Sequence, residues 1–210
     1  MVRSNDKKKA VFLAAALALL VAVIAVIVIP RGGDENSGSA EVLDRPANVV
    51  SKGEVASVAF ETSEGDFRVA LDTRRAPKTA NSFAYLAEEG FYDGLTFHRI
   101  VPGFVIQGGD PKGDGTGGAG YRIVERPPSD LEYRPGVVAM AKGGSDPPGS
   151  SESQFFIVTG PGAAELPPEY ALVGEVVQGF DVVQEIGRLG GPDEAPTKEV
   201  LIDRATLERG

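Results

Sequence analysis

The chain has 210 residues, 42% of them hydrophobic and 24% charged, a composition that suits one folded domain with accessories and excludes disorder throughout. A net charge of -9 repels phosphate backbones and makes nucleic acid a poor candidate partner. Cysteine is absent and His98 is the single histidine, which removes disulfides, thiol nucleophiles and the commonest zinc sites, so no metal and no cofactor are expected.

In chain order, the first feature is an unbroken run of twenty uncharged, almost wholly aliphatic residues from Ala10 to Ile29. At about 1.5 Å per residue it matches the roughly 30 Å hydrocarbon layer of a bilayer. Arg3, Lys7, Lys8 and Lys9 precede it, and this basic cluster favours an N-terminus held inside, with everything after Ile29 outside. The preferred reading is an uncleaved signal anchor. A cleaved signal peptide competes, but its apolar region is usually about 7–15 residues, and the nearest small-residue stretch, Gly38-Ser39-Ala40, stands well beyond the run. Both readings export the remainder, to the outer side of the cell membrane or into the medium. The segment after the span is rich in Gly, Ser, Asp, Glu and Asn and reads as a flexible linker, with a reach of roughly 25 Å for about twenty residues. The expected organisation is a basic tail (1–9), a membrane anchor (10–30), a linker (31–52) and a folded domain (53–210).

Gly (27) and Pro (15) are plentiful, which points to turns and short strands. Val58 and Phe60, then Phe67, Val69 and Leu71, alternate with polar neighbours across Ser63-Glu64-Gly65-Asp66, the pattern of a β-hairpin. Pro77 opens a helix in which Ala80, Phe83, Leu86 and Ala87 recur at helical spacing up to Gly90. Short apolar runs follow at 104–107, 136–140, 154–158 and 170–177, and a second short helix is expected over 180–188. The sum predicts an antiparallel barrel or sandwich with helical caps.

Three segments carry candidate chemistry. Gly113-Asp114-Gly115-Thr116-Gly117-Gly118 fits the G-x-G-x-x-G pattern, but no helical period follows it, so a surface loop is the better reading. His98 lacks a serine elbow to serve, and is read as a structural residue using both ring nitrogens for hydrogen bonds. The run from Phe97 to Asp110 gathers Arg99, Phe104 and Gln107 among apolar residues, and Ser153-Gln154-Phe155-Phe156-Ile157 adds an aromatic pair beside a glutamine. Because Pro102-Gly103 interrupts the strand, periodicity leaves open whether Arg99 and Gln107 share a face; core strands with an odd polar residue fit as well as a site.

The stretches FHRIVPGFVIQGGD, GTGG and SQFFIVT resemble the signature segments of the cyclophilins, and APKTANSFAYLAEEGFYDG looks like that family's first helix and its exit. The similarity spans about residues 54 to 190, and the chain reads as a bacterial, membrane-anchored member. The resemblance implies a mainly β fold, a closed eight-stranded antiparallel β-barrel capped by two α-helices, with peptidyl-prolyl cis-trans isomerase activity on proline-containing polypeptides such as exported proteins in the course of folding. It implies Arg99 as the catalytic arginine, and a proline pocket of Phe104, Val105, Phe156 and Leu166. Gln107 and Gln154 would bind the substrate backbone, and Gly115, Ala141, Lys142 and Gly143 would line the adjoining groove, with Tyr170 where many members carry histidine. Val105 replaces the family's usual methionine and Lys142 its usual asparagine, and the loop from Gly143 to Ser153 looks longer than in compact members. No tryptophan stands near Ala164 and Glu165, so weak cyclosporin binding is expected. Two other classes stay in view: a non-catalytic proline-peptide binding or chaperone module, and an adhesion or assembly barrel without proline-dependent binding.

Overall fold

The computed structural model describes residues 46–210. The expected basic tail, membrane span and most of the linker lie outside the described residues, and no helix within them is long and apolar enough to cross a membrane. Ahead of the expected boundary at 53 the chain is already fastened to the domain. The buried Asn81 accepts the Val49 and Val50 N–H groups at 2.8 and 3.1 Å and donates to the Ala47 carbonyl at 2.8 Å.

Strands β1 (Ala56–Thr62) and β2 (Gly65–Leu71) form the expected hairpin, because Val58, Phe60, Phe67 and Val69 fall on one face and are all buried. Helix α1 (Pro77–Glu88) has proline in its first turn, where a missing N–H costs nothing. The free Lys78 and Thr79 N–H groups of that turn are taken by the Glu125 carboxylate, at 3.2 and 2.7 Å. There follow β3 (Arg99–Val101), β4 (Val105–Gly108), β5 (Ile123–Val124), β6 (Val137–Met140), β7 (Ser150–Ser151), β8 (Phe155–Val158), β9 (Leu172–Gln178), α2 (Phe180–Gly187) and β10 (Ile202–Arg209).

Eight strands make one antiparallel sheet in the order β10-β1-β2-β9-β6-β8-β4-β3, and β5 and β7 pair as a separate ribbon. The sheet curls but does not close, which corrects the expected closed barrel. Its end strands fail to pair for a local reason. β3 is three residues long and stops at Pro102, and its Ile100 N–H is taken by the Glu194 carbonyl at 2.7 Å rather than by β10. The seam is stitched just ahead of β3 and at the start of β10, where Gly94 and Phe97 donate to Ile202 and Val200 and Ile202 donates to Leu95.

Alternation along the strands divides the apolar side chains between two faces. Ile100, Ile106, Val138, Met140, Phe155 and Ile157 point into the main core, with Phe60, Phe83, Tyr92 and Phe97. Val105, Val137, Ala139, Phe156 and Val158 point outward into a second apolar cluster, covered by Tyr133, Leu166 and Tyr170. Gly174 lets β9 approach β2: a Cβ there would stand 1.9 Å from the Ala70 carbonyl oxygen.

Candidate active site

Strands β3 and β4 are joined by a tight turn in which Phe104 N–H donates to the Val101 carbonyl at 3.0 Å. Pro102 supplies the fixed φ and Gly103 the left-handed φ of 72°. The turn sets the register, so Arg99 pairs with Gln107, Gln107 with Phe156, and Phe156 with Ala139. These residues stand in one row across the outer face of the sheet. Cross-strand pairing therefore answers what spacing left open: Arg99 and Gln107 do share a face.

A line of hydrogen bonds runs along this row. Arg99 Nε donates to Glu194 Oε2 at 2.6 Å and its Nη1 donates to Gln107 Oε1 at 3.3 Å. Gln107 Nε2 donates to Gln154 Oε1 at 3.0 Å, and Gln154 Nε2 donates to the Gly115 and Gly117 carbonyls at 3.0 and 2.9 Å. Arginine can only donate, so Gln107 must turn its oxygen to Arg99, which orients both amides. The third guanidinium nitrogen, Nη2, is buried and has no hydrogen-bond partner among the described residues.

The glycine run that fits a dinucleotide pattern is a loop without a following helix. Asp110 organises it, accepting the Lys112 N–H at 2.8 Å and the Gly115 N–H at 2.5 Å. A Cβ at Gly117 would stand 2.0 Å from Asp110 Oδ1, so that carboxylate can hold the loop only if glycine is there.

Together these parts wall a groove of about 520 Å³. Of the residues expected at the site, Arg99, Gln107, Gly115, Ala141, Lys142, Gly143, Gln154, Phe156 and Tyr170 line it. Phe104, Val105 and Leu166 do not; they are buried beside Phe156 and Tyr170 in the outer apolar cluster. Tyr170 meets Phe156 edge-on, with ring centroids 5.4 Å apart, and burial pushes its phenol up to about 12. Lys142, its side chain 6% exposed, lies 5.7 Å from the Tyr170 ring centre and 3.4 Å from the Glu169 carboxylate.

His98 differs from expectation. It lines the groove, and neither ring nitrogen has a partner among the described residues. Burial holds its pKa below the ordinary histidine value, only partly offset by Asp110, so the ring is neutral near pH 7. Sequence reasoning also missed Glu194, Ser150 and Ser151 on the groove wall. Glu194 stands 95 positions from Arg99, and no local pattern could have paired them.

Comparison with known proteins agrees with this geometry. The profile of the family described as cyclophilin type peptidyl-prolyl cis-trans isomerase/CLD matches residues 57–207. Peptidyl-prolyl cis-trans isomerase ppi1 of Schizosaccharomyces pombe is 42% identical over 137 residues, covering 63% of this chain and 86% of the relative. A probable peptidyl-prolyl cis-trans isomerase B of Mycobacterium tuberculosis is 34% identical over 186 residues, covering 79% of this chain and 59% of the relative. Among solved structures, a cyclophilin type peptidyl-prolyl cis-trans isomerase of Cryptosporidium parvum superposes with a TM-score of 0.68 at 30% identity, covering 74% of this chain and 99% of that one. The family profile and the superposed structure thus both span most of the folded part, and the chain belongs to the cyclophilin-type peptidyl-prolyl cis-trans isomerase family.

Proposed function

We propose that the groove is where this isomerase turns X–Pro bonds, with Arg99 as the catalytic residue. In this reading the proline ring enters the apolar cluster at Phe104, Val105, Phe156 and Leu166. Gln107 and Gln154 hold the flanking backbone, and Gly115, Ala141, Lys142, Gly143 and Tyr170 line the rest of the peptide's path. Support comes from a Cryptosporidium parvum relative whose structure was determined in the presence of the dipeptide Ala-Pro.

Amide resonance raises a barrier of about 18–20 kcal/mol to rotation about the X–Pro bond. Once the bond is twisted, resonance is lost and the proline nitrogen regains a lone pair. A guanidinium hydrogen bond to that nitrogen exists only in the twisted state, so it lowers the barrier without tightening ground-state binding. The observation that carries this reading is the state of Arg99. Its Nε and Nη1 are engaged, while Nη2 is buried without a partner among the described residues, so it is the donor an entering peptide takes up once the groups covering it give way.

The Gln107–Gln154 pair supplies the test of the binding role. Gln154→Ala should lower kcat/KM about tenfold in a protease-coupled proline-peptide assay, the worth of one hydrogen bond and its orienting effect. Unchanged kcat/KM would remove Gln154 from the binding set.

The apolar run from Ala10 to Ile29 after a basic cluster supports an anchored, extracytoplasmic isomerase acting on exported polypeptides. Protease added to intact cells should then degrade the domain. Protection in intact cells, with cleavage only after lysis, would overturn that location. The missing tryptophan supports weak cyclosporin binding.

A further inference from the structure

The loop after α2 reaches the same arginine, and its role in the site rests on Arg99 being the catalytic residue. From Leu189 to Thr197 the chain folds back on itself. Gly190 bridges Pro196, Gly191 N–H donates to the Ala195 carbonyl at 2.8 Å, and Thr197 N–H donates to the Leu189 carbonyl at 2.7 Å. The loop lies on the unpaired edge of β3, where the Glu194 carbonyl takes the Ile100 N–H. The seam at which the sheet fails to close is thus the opening through which this loop meets the site.

Glu194 has a φ of 65°, the one non-glycine in the left-handed region among the described residues. Glycine or asparagine adopts that conformation more readily, so the turn alone does not account for a glutamate. Its side chain does. Oε2 accepts Arg99 Nε at 2.6 Å, with the two side chains only 22% and 16% exposed. A charge-assisted bond so shielded is stronger than a solvent-exposed ion pair.

We propose that Glu194 is a positioning residue of the isomerase. Arginine's long side chain otherwise samples many rotamers, and a donor that must be found at each turnover is a poor catalyst. Glu194 and Gln107 grip two corners of the guanidinium from opposite sides of β3, one from the loop and one from β4. The plane of the group is thereby set, and Nη2 is the corner left without a partner among the described residues. Glu194 does not touch the peptide; it acts through Arg99.

The test uses the full chain carrying Glu194→Gly or Glu194→Gln, alone and with Arg99→Ala. Glycine relieves the backbone while removing the carboxylate, two effects of similar size and opposite sign, so Glu194→Gly should shift the thermal midpoint by only a few degrees, lower kcat about tenfold and leave KM little changed. Glu194→Gln keeps an acceptor oxygen and should recover most of that loss. The Arg99 Nε–H resonance should be sharp in the unaltered protein and broaden in Glu194→Gly. In the Arg99→Ala background Glu194→Gly should have no further effect. Full kcat in Glu194→Gly beside an inactive Arg99→Ala would overturn the positioning role and leave the assignment of Arg99 standing. An active Arg99→Ala would overturn both. A lowered kcat with an unchanged Arg99 resonance, or an equal further loss on top of Arg99→Ala, would show that Glu194 acts independently of Arg99 and would also overturn the proposal.

Discussion

Arg99→Ala is expected to lower kcat/KM by about 10²–10³-fold, the usual loss when one preorganised donor to a transition state is removed, equivalent to roughly 3–4 kcal/mol of barrier. The fold should survive. The side chain stands on the outer face of the sheet and contributes nothing to the main core. The cost to stability should be about 1–2 kcal/mol, because Glu194 loses a partner in a partly shielded position. Arg99→Lys should recover little activity. An ammonium is a single point donor, and it cannot satisfy Glu194 and Gln107 while presenting a third hydrogen to a substrate. The measurement is a protease-coupled assay with an X–Pro peptide, beside circular dichroism of each variant. Near-normal turnover in folded Arg99→Ala would remove the arginine from the mechanism.

Much of the scaffold was legible because its signals are local. Pro77 and Gly90 bracket a helix that spans Pro77–Glu88, and the alternation around Ser63-Glu64 gives the first hairpin. The apolar runs at 136–140 and 154–158 became the central strands β6 and β8. Strand β10 was not visible. Its buried positions, Ile202 and Ala205, are three apart, because the register shifts opposite Glu61 and Thr62, and its other residues are largely charged. A bulge thus erased the period of two on which recognition depends. Closure of the barrel was over-read for a related reason. Nothing in the sequence says that a loop carrying Glu194 will claim the edge of β3 before β10 can.

The site divides in the same way. Residue types in the run from Phe97 to Asp110 suggested chemistry, but their geometry depends on a turn and on register across four strands. Family resemblance named the partners, and pairing explains why they meet. What neither supplied is the state of each group. The engaged Nε and Nη1, and the buried Nη2 and His98 ring nitrogens left without partners among the described residues, follow from tertiary packing alone.

Adjacent phenylalanines give the sharpest test of that two-faced sheet. Phe155 points inward and is fully buried at the centre of an aromatic cluster, with ring centroids 5.3 Å from Phe83, 5.4 Å from Tyr92, 5.7 Å from Phe60 and 6.0 Å from Phe97. Phe155→Ala removes those contacts and leaves a cavity, which should cost about 3–5 kcal/mol. Against a typical total of about 5–15 kcal/mol, this lowers the thermal midpoint by about 10 °C or more. Phe156 points outward, packs on Tyr133 and Tyr170, and lines the groove. Phe156→Ala should lower kcat/KM by about 10²-fold, because a loosely held proline ring no longer presents its nitrogen to Arg99. Urea denaturation measures the first effect. Turnover at low temperature, divided by the folded fraction, measures the second. Phe155→Ala should then retain near-normal turnover per folded molecule, and Phe156→Ala should not. If both variants lost turnover per folded molecule equally, the groove would not be distinct from the core. The outward row from Arg99 to Ala139 would then be no more than packing, and the expected pattern is the reverse: one residue apart in sequence, stability on one face and catalysis on the other.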